Sequence, residues 1–166
     1  MRPLLIVDGY NVIGAWREAE KERWSIDECR DRLLEDYSGY SGEDVVLVFD
    51  GYQSDRKTRT EEQFGNLTLV YTRHGETADS YIERLVAQTP RYRAVRVATS
   101  DGLEQSQVLS TGAIRLTSRE LLRELRHLRQ RGMEQHRTVS SAPKASLASR
   151  LPEDTLRVLE AMRRGK

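Results

Sequence analysis

The sequence predicts an α/β fold built around a mainly parallel sheet. Three short apolar runs rich in β-branched residues each end at an aspartate: Pro3 to Asp8, Val45 to Asp50 and Ala94 to Asp101. Stretches with helical spacing of apolar residues separate these runs, which is typical of βαβ units with parallel strands. Leu67 to Tyr71 and Ala113 to Leu116 indicate two further, shorter strands.

Three amphipathic helices with polar caps are predicted between and after these strands. Ser25 and Glu28 have the spacing of a capping box, and Thr117 and Glu120 repeat it ahead of a Leu-rich stretch. Thr77 is placed to cap a further helix. The apolar stripes behind these caps are interpreted as core-facing, with no part in binding a cofactor.

The length and composition fit one domain with its own hydrophobic core. We expect this domain to occupy residues 1–137. Residues 138–166 begin with a linker rich in Ser, Ala and Pro and end in a basic amphipathic helix, roughly 153–163, that packs on the same domain or extends from it.

Several classes of protein are excluded by what the sequence lacks. Its apolar runs are strand-sized, whereas a membrane span needs about 20 apolar residues. Cys29 is the only cysteine, so no internal disulfide and no cysteine-based zinc site is expected. Asp8 follows the start of the chain too closely to leave room for the apolar part of a signal peptide. A cytoplasmic location is therefore expected.

Charge is unevenly distributed along the chain. The net charge is +1, but residues 119–166 carry twelve Arg or Lys and six Asp or Glu, whereas residues 1–118 carry fifteen and twenty. An acidic body with a basic tail suggests a cation site in the first and a contact with a polyanion in the second. A solvated, Arg-rich helix face is the alternative interpretation of the tail.

Four aspartates are predicted to meet at one edge of the sheet. Asp8, Asp50 and Asp101 follow strands whose carboxyl ends converge, and ligands of open α/β sheets bind in that crevice. Asp79 lies in the first turn of the helix that follows another strand, and Glu76 is a plausible fifth member. A lone Asp after a strand is usually a turn former or a helix cap. Four at equivalent positions favour a shared function.

Clustered carboxylates repel one another and take up protons unless a cation neutralises them. Hard divalent cations favour such an all-oxygen site, so Mg²⁺ or Mn²⁺ is expected. No histidine is a close sequence neighbour of the four aspartates, which makes zinc less attractive. Such a site suits phosphodiester hydrolysis, in which cations activate water and stabilise charge on the phosphate.

Side chains beside the aspartates narrow the chemistry. Gly9 permits a tight turn, and Asn11 is placed to bond a phosphate oxygen or to orient Asp8, although it could be only a turn residue. Tyr10 could stack on a base, with core packing as the alternative. Ser100 could donate to a carboxylate or a phosphate, or simply cap.

A short basic run follows Asp50. Arg56, Lys57 and Arg59 lie on a predicted loop and could guide an RNA backbone. As an isolated charge run, they would more often be only a solvated loop.

Two other α/β classes fit the sequence less well. Phosphatases of the haloacid dehalogenase type need a second Asp two residues after the first, where this chain has Tyr10. Receiver domains need paired acidic residues after the first strand and a Lys after the last strand. The first strand supplies only Asp8, and no Lys follows Ala113 to Thr117.

Four motifs in order resemble the NYN domain, a branch of the PIN-like nucleases, in its bacterial YacP type. The motifs are Asp8-Gly-Tyr-Asn11, Val48-Phe-Asp50, Glu76-Thr-Ala-Asp79-Ser-Tyr-Ile-Glu83 and Ala98-Thr-Ser-Asp101-Gly. One Asp-Gly-Tyr-Asn alone would be weak support, but four motifs at suitable spacings are specific. The resemblance covers Leu4 to about Glu124 and returns in the Arg-rich carboxyl terminus.

The resemblance implies a three-layer α/β/α fold and metal-dependent cleavage of single-stranded RNA. It implies that Asp8, Asp50, Asp79 and Asp101 form the acidic site, assisted by Asn11 and Ser100. The YacP type includes an endonuclease that cuts messenger RNA on the ribosome, so the ribosome is a candidate partner.

The expected function is therefore that of an endoribonuclease. Asp8, Asp79 and Asp101 would be metal ligands, and Asp50 and Glu76 would complete the shell or orient water. The alternative is an RNA- or ribosome-binding module with a weak or inactive PIN-like site. The complete acidic set argues against this alternative, because RNA binding alone does not require clustered negative charge facing phosphates.

Overall fold

The computed structural model describes residues 1–38, 42–51, 55, 57–99 and 112–140, with side chains described as far as residue 131. Arg56, Ser100, Asp101 and the basic helix predicted near 153–163 lie outside the described residues. The chain divides into two compact units, Met1–Leu122 and Arg123–Lys166. The whole sheet belongs to the first unit.

A six-stranded sheet organises this unit. Its strands are β1 Leu4–Asp8, β2 Asp44–Phe49, β3 Thr60–Phe64, β4 Leu67–Tyr71, β5 Val95–Ala98 and β6 Ile114–Leu116. They lie in the order β3-β4-β2-β1-β5-β6, and every neighbouring pair is parallel except β3 and β4. The mainly parallel sheet predicted from the apolar runs is confirmed.

Five helices are described: α1 Gly9–Gly14, α2 Arg17–Lys21, α3 Ile26–Tyr37, α4 Ala78–Gln88 and α5 Ser118–Ser140. The three predicted caps are confirmed, because Ser25, Thr77 and Thr117 each accept a backbone hydrogen bond of 3.1 Å at the start of a helix. The short helices α1 and α2 were not predicted.

The two faces of the sheet bury different side chains, as a three-layer arrangement requires. On one face Ile6 and Val48 pack in a cluster with Ile82 of α4. The alternation of side chains along a strand places Leu5 and Leu47 on the opposite face, where both are fully buried. The sheet therefore buries apolar side chains on both of its faces.

Strand β3 was missed in the sequence. Its residues, Thr60 to Phe64, are mostly exposed and include two consecutive glutamates, so no apolar alternation marks them. The strand forms because it pairs antiparallel with β4 through a turn at Gly65, which has a φ of +60° that glycine adopts easily. No helix in the described part of the chain is long and apolar enough to span a membrane.

Candidate active site

The register of the sheet places two of the predicted aspartates on the same face. Asp8, the last residue of β1, lies opposite Val48 of β2, and Asp50 comes two residues after Val48. Because side chains alternate along a strand, Asp8 and Asp50 project toward the face that α4 covers. The next strand along is β5, which ends beside Asp8 with the buried Thr99 following it.

Asp8 caps the helix that follows it. Its carboxylate accepts hydrogen bonds of 3.5 Å from the backbone amide and from the side-chain amide of Asn11. Asn11 therefore orients Asp8, which is one of the roles predicted for it. Only 6% of Asp8 is exposed to solvent, so this carboxylate lies inside the protein.

Gly9 is required by packing rather than by a tight turn. It is the first residue of α1, and a Cβ added there would lie 2.5 Å from the ring of Phe49. Real Cβ atoms do not approach a ring so closely. The absence of a side chain at Gly9 therefore lets the start of α1 pack closely against Phe49 of β2.

Burial and like charge raise the pKa of Asp8 to about 6 from a usual value of 3.8. Loss of hydration is the largest cause. Of the other effects that raise the pKa, the negative charge of Asp79 comes first and that of Asp50 second. The hydrogen bonds from Asn11 act in the opposite direction. Asp8 is thus a buried carboxylate whose negative form is held at a cost near neutral pH.

Asp50 and Asp79 meet at the start of α4. One oxygen of Asp50 accepts a hydrogen bond of 3.1 Å from the backbone amide of Ala78, the first residue of the helix. Asp79 is the next residue and lies in the first helical turn, as predicted. The structure thus brings Asp8, Asp50 and Asp79 together, whereas Asp101 lies outside the described residues.

The donor atoms gathered here suit a hard cation. The carboxylates of Asp8, Asp50 and Asp79 and the amide oxygen of Asn11 are all oxygen ligands, the type that hard divalent cations prefer. Among the described residues, no group of three or more His, Cys, Asp or Glu side chains already has the spacing that would hold a metal ion.

Glu76 differs from the three aspartates. Its buried carboxylate accepts hydrogen bonds from Nε of Arg59 at 3.0 Å and from a terminal nitrogen of Arg59 at 2.5 Å. Arg84 of α4 adds a third at 2.9 Å. These guanidinium groups, Arg59 first, lower the pKa of Glu76. A carboxylate paired with two guanidinium groups is a poor metal ligand. Arg59, which was predicted to guide RNA, is likewise paired with Glu76.

A row of aromatic rings extends from the site. Tyr10 is 41% exposed, and its ring meets the ring of Phe49 edge to face, with 5.0 Å between centroids. Phe49 stacks on Tyr71 at 5.4 Å, and the hydroxyl of Tyr71 accepts a hydrogen bond of 2.9 Å from Arg30. Both roles weighed for Tyr10 are compatible with this geometry, since one edge packs while the rest faces solvent. Lys57 is also exposed.

Two further residues shape the site without having been predicted. Thr72 is fully buried, and its hydroxyl oxygen accepts a hydrogen bond of 2.6 Å from the backbone amide of Gly51. The same hydroxyl donates to the backbone carbonyl of Glu76 at 2.8 Å. Arg84, the second partner of Glu76, follows it by eight residues. The only sign of this role in the sequence is that Arg84 follows the Thr77 cap by seven residues, about two helical turns, and so lies on the same side of α4.

Comparison with known proteins identifies the family. Residues 5–164 match the YacP-like NYN domain. The chain belongs to this family. It is 35% identical to the YacP protein of Bacillus subtilis (strain 168) over 98% of this chain and 97% of that protein.

The crystal structure of Rae1 (YacP) from Bacillus subtilis has 35% sequence identity and a TM-score of 0.70, over 99% of this chain and 96% of that chain. A point mutant of the same protein gives 34% identity and a TM-score of 0.68, over 98% and 96%. The YacP-like NYN family is of the nuclease type.

Proposed function

We propose that this protein is a metal-dependent endoribonuclease that cleaves single-stranded RNA, with messenger RNA as its natural substrate. One observation carries the proposal. Asp8 is buried with its pKa raised to about 6, and the two charges that raise it belong to Asp79 and Asp50. Carboxylates held this close repel one another, and a bound divalent cation would relieve that repulsion.

The residues of the site have distinct roles in this proposal. Asp8, Asp79 and Asp101 bind Mg²⁺ or Mn²⁺, which on binding activates water and stabilises charge on the scissile phosphate. Asp50 holds the start of α4 through the Ala78 amide and completes the carboxylate set. Asn11 fixes the orientation of Asp8. Ser100 assists by donating a hydrogen bond to a carboxylate or a phosphate.

RNA contacts are proposed at Tyr10, which follows Asp8 by two residues, and at the basic run after Asp50. The exposed part of the Tyr10 ring stacks on a base, a contact that tolerates any base and suits single strands. Lys57 and Arg56 attract the phosphate backbone. Arg59 reaches the RNA only if it leaves Glu76, so its contribution to RNA binding is expected to be small.

The ribosome is proposed as the setting in which messenger RNA is presented. The support is the basic balance of residues 119–166, which carry twelve Arg or Lys against six Asp or Glu. Such a segment favours contact with a structured polyanion such as ribosomal RNA. This partner and the cytoplasmic location follow from the proposed role in messenger RNA decay.

The test is cleavage of a labelled messenger RNA with Mg²⁺ or Mn²⁺, with and without purified ribosomes. Wild type is compared with Asp8→Asn, which keeps the helix cap but removes the charge, and with Glu35→Gln on the exposed side of α3 as a matched control. We expect wild type and Glu35→Gln to cut in a metal-dependent way and Asp8→Asn not to cut.

Cleavage that survives Asp8→Asn would contradict the assignment of the site. Wild-type cleavage only in the presence of ribosomes would identify the partner. Binding of RNA or ribosomes with no cleavage under any condition would replace the nuclease by the RNA- or ribosome-binding module.

A further inference from the structure

Glu76 is the most strongly paired carboxylate near the acidic site. Only 3% of its side chain is exposed, and its two oxygens accept three hydrogen bonds from two guanidinium groups. Arg59 forms the bidentate pair, which is the strongest geometry available to an arginine and a carboxylate. We call the three side chains of Glu76, Arg59 and Arg84 the Glu76 clamp.

The clamp joins three segments of the chain that lie near the acidic site. Arg59 immediately precedes β3, and Arg84 lies in the second turn of α4. Glu76 immediately precedes Thr77, the residue that caps α4. Arg59 also lies over the ring of Tyr81, with 4.6 Å between its guanidinium carbon and the ring centroid, so its position is fixed from a second side.

The backbone of Glu76 is tied to the segment that follows Asp50. The hydroxyl of Thr72 donates to the Glu76 carbonyl at 2.8 Å and accepts from the Gly51 amide at 2.6 Å. Two residues after Glu76, the amide of Ala78 donates to Asp50. The turn before α4 is therefore attached to the end of β2 at two points, one on each side of the clamp.

We propose that Glu76 is a positioning residue: clamped by Arg59 and Arg84, it fixes the first turn of α4 so that Asp79 stays beside Asp8 and Asp50. This inference rests on the proposed function for its catalytic consequence, but its structural part does not. It assigns Glu76 no contact with metal or RNA. Its carboxylate keeps Asp79 in place, and a displacement of about 1 Å at a catalytic group can lower a rate about a hundredfold.

The first test uses the metal-free protein and needs no nuclease activity. Hydrogen–deuterium exchange is measured for the amides of Ala78 and Gly51, which donate to Asp50 and Thr72, with the Val97 amide in the core strand β5 as an internal reference. In Glu76→Gln we expect exchange at Ala78 and Gly51 to rise about tenfold with Val97 unchanged. Glu62→Gln, an exposed glutamate of β3, is the matched control and should leave all three amides as in wild type.

Two variants of Arg59 show whether the clamp is responsible. Arg59→Met removes the bidentate pair and should reproduce the Glu76→Gln pattern, while Arg59→Lys retains the charge and should restore part of the protection. The double variant Glu76→Gln, Arg59→Met should exchange no faster than the faster single variant, because both changes break the same contact.

The second test separates positioning from metal binding. Calorimetric titration with Mn²⁺ should give Glu76→Gln a loss of affinity no larger than about tenfold to a hundredfold, as for a group that orients a ligand, and Arg59→Met should reproduce that loss; loss of a direct ligand would not be reproduced by Arg59→Met. In RNA cleavage at saturating Mn²⁺ we expect kcat to fall about tenfold to a hundredfold with KM nearly unchanged.

Distinct results overturn the proposal. A large loss of Mn²⁺ affinity with unchanged exchange at Ala78 and Gly51 would make Glu76 a metal ligand. Faster exchange at Val97 as well, with an unchanged kcat in the folded variant, would make the clamp a general stabilising contact. If wild type itself fails to cleave RNA, the proposed function fails, and the exchange measurements still decide whether the clamp holds α4.

Discussion

The two edges of the sheet treat buried carboxylates in opposite ways. At the amino edge, Glu43 is 7% exposed and forms a bidentate pair with Arg96. Asp44 beside it pairs with Arg93 at 2.8 Å and with Arg2 at 3.5 Å. At the carboxyl edge Asp8 is 6% exposed and is oriented by an amide, while the charges that raise its pKa are carboxylates.

This difference separates a structural edge from the edge that is proposed to act on RNA. Each acidic group at the amino edge has a guanidinium partner, so burial there is compensated within the chain itself. At the carboxyl edge, the described residues include an arginine pair for Glu76, whereas burial and the charges of Asp79 and Asp50 raise the pKa of Asp8. Glu43 and Glu76 thus have arginine partners, while the pKa of Asp8 is raised by neighbouring carboxylates.

The largest effect on RNA cleavage should come from removing the buried charge of Asp8. Asp8→Asn should lower RNA cleavage about a thousandfold or more, because a proposed metal ligand is lost. The same variant should raise the free energy of unfolding of the metal-free protein by about 2–3 kcal/mol at pH 8, since a buried charge with its pKa raised by about two pH units disappears. Urea denaturation and a cleavage assay check the two halves; a variant that is inactive because it is unfolded would break the comparison.

The opposite edge should respond in the opposite way. Glu43→Gln leaves the Arg96 guanidinium with a neutral partner and should lower the free energy of unfolding by about 2–4 kcal/mol. Below its melting temperature the variant should cleave RNA at close to the wild-type rate. Two measurements test this: thermal unfolding of the variant, and RNA cleavage at about 20 °C, where the variant is folded. A strong loss of activity in the folded variant would mean that the two edges are not functionally separate.

The close packing of Gly9 against Phe49, next to Asp8, is predicted to make the stability of the protein sensitive to substitution of Gly9. Gly9→Ala adds a Cβ 2.5 Å from the Phe49 ring, so the ring or the start of α1 must move. We expect a destabilisation of about 1–3 kcal/mol, measured by urea denaturation. Gly14→Ala is the control, because a Cβ there meets nothing within 4 Å. Equal effects of the two substitutions would show that close packing against Phe49 does not explain the glycine at position 9.

The last prediction concerns the pH dependence of stability and tests the same pKa shift of Asp8 as the first. A folded-state pKa near 6 for Asp8, above its usual 3.8, means that the folded protein binds more protons than the unfolded chain between these values. Metal-free stability should therefore fall as the pH rises from about 4 to about 7. In Asp8→Asn this part of the decline should be missing. Denaturation curves across that range check it, and identical pH profiles would show that Asp8 titrates normally.

The placement of the aspartates could be predicted because it depends on local features. Parallel strands end together, so an aspartate at the end of β1 and another after β2 must be neighbours. The position of Asp79 followed from its place in the first helical turn, two residues after the Thr77 cap. Asp101, Ser100 and Arg56 lie outside the described residues, and their roles stay predictions.

The partners of Glu76 and Arg59 could not be predicted in the same way. They are 17 residues apart, and the antiparallel strand β3 that brings Arg59 back to the site has a polar sequence with no apolar alternation. Helix α1 was also missed, because a glycine at its first residue usually indicates a turn. The need for Gly9 arises from the Phe49 ring, which is contributed by a strand about 40 residues away.

Equilibrium Mn²⁺ binding tests the central claim most directly, because it requires neither an RNA substrate nor a partner. Calorimetry compares wild type with two variants, Asp8→Asn at the carboxyl edge and Glu43→Gln at the amino edge. The titrations are run at about pH 7.5, above the raised pKa of Asp8, so that its carboxyl group is ionised. The account predicts that wild type and Glu43→Gln bind Mn²⁺ with the same affinity and that Asp8→Asn binds about tenfold or more weakly. Equal binding by wild type and Asp8→Asn would contradict it.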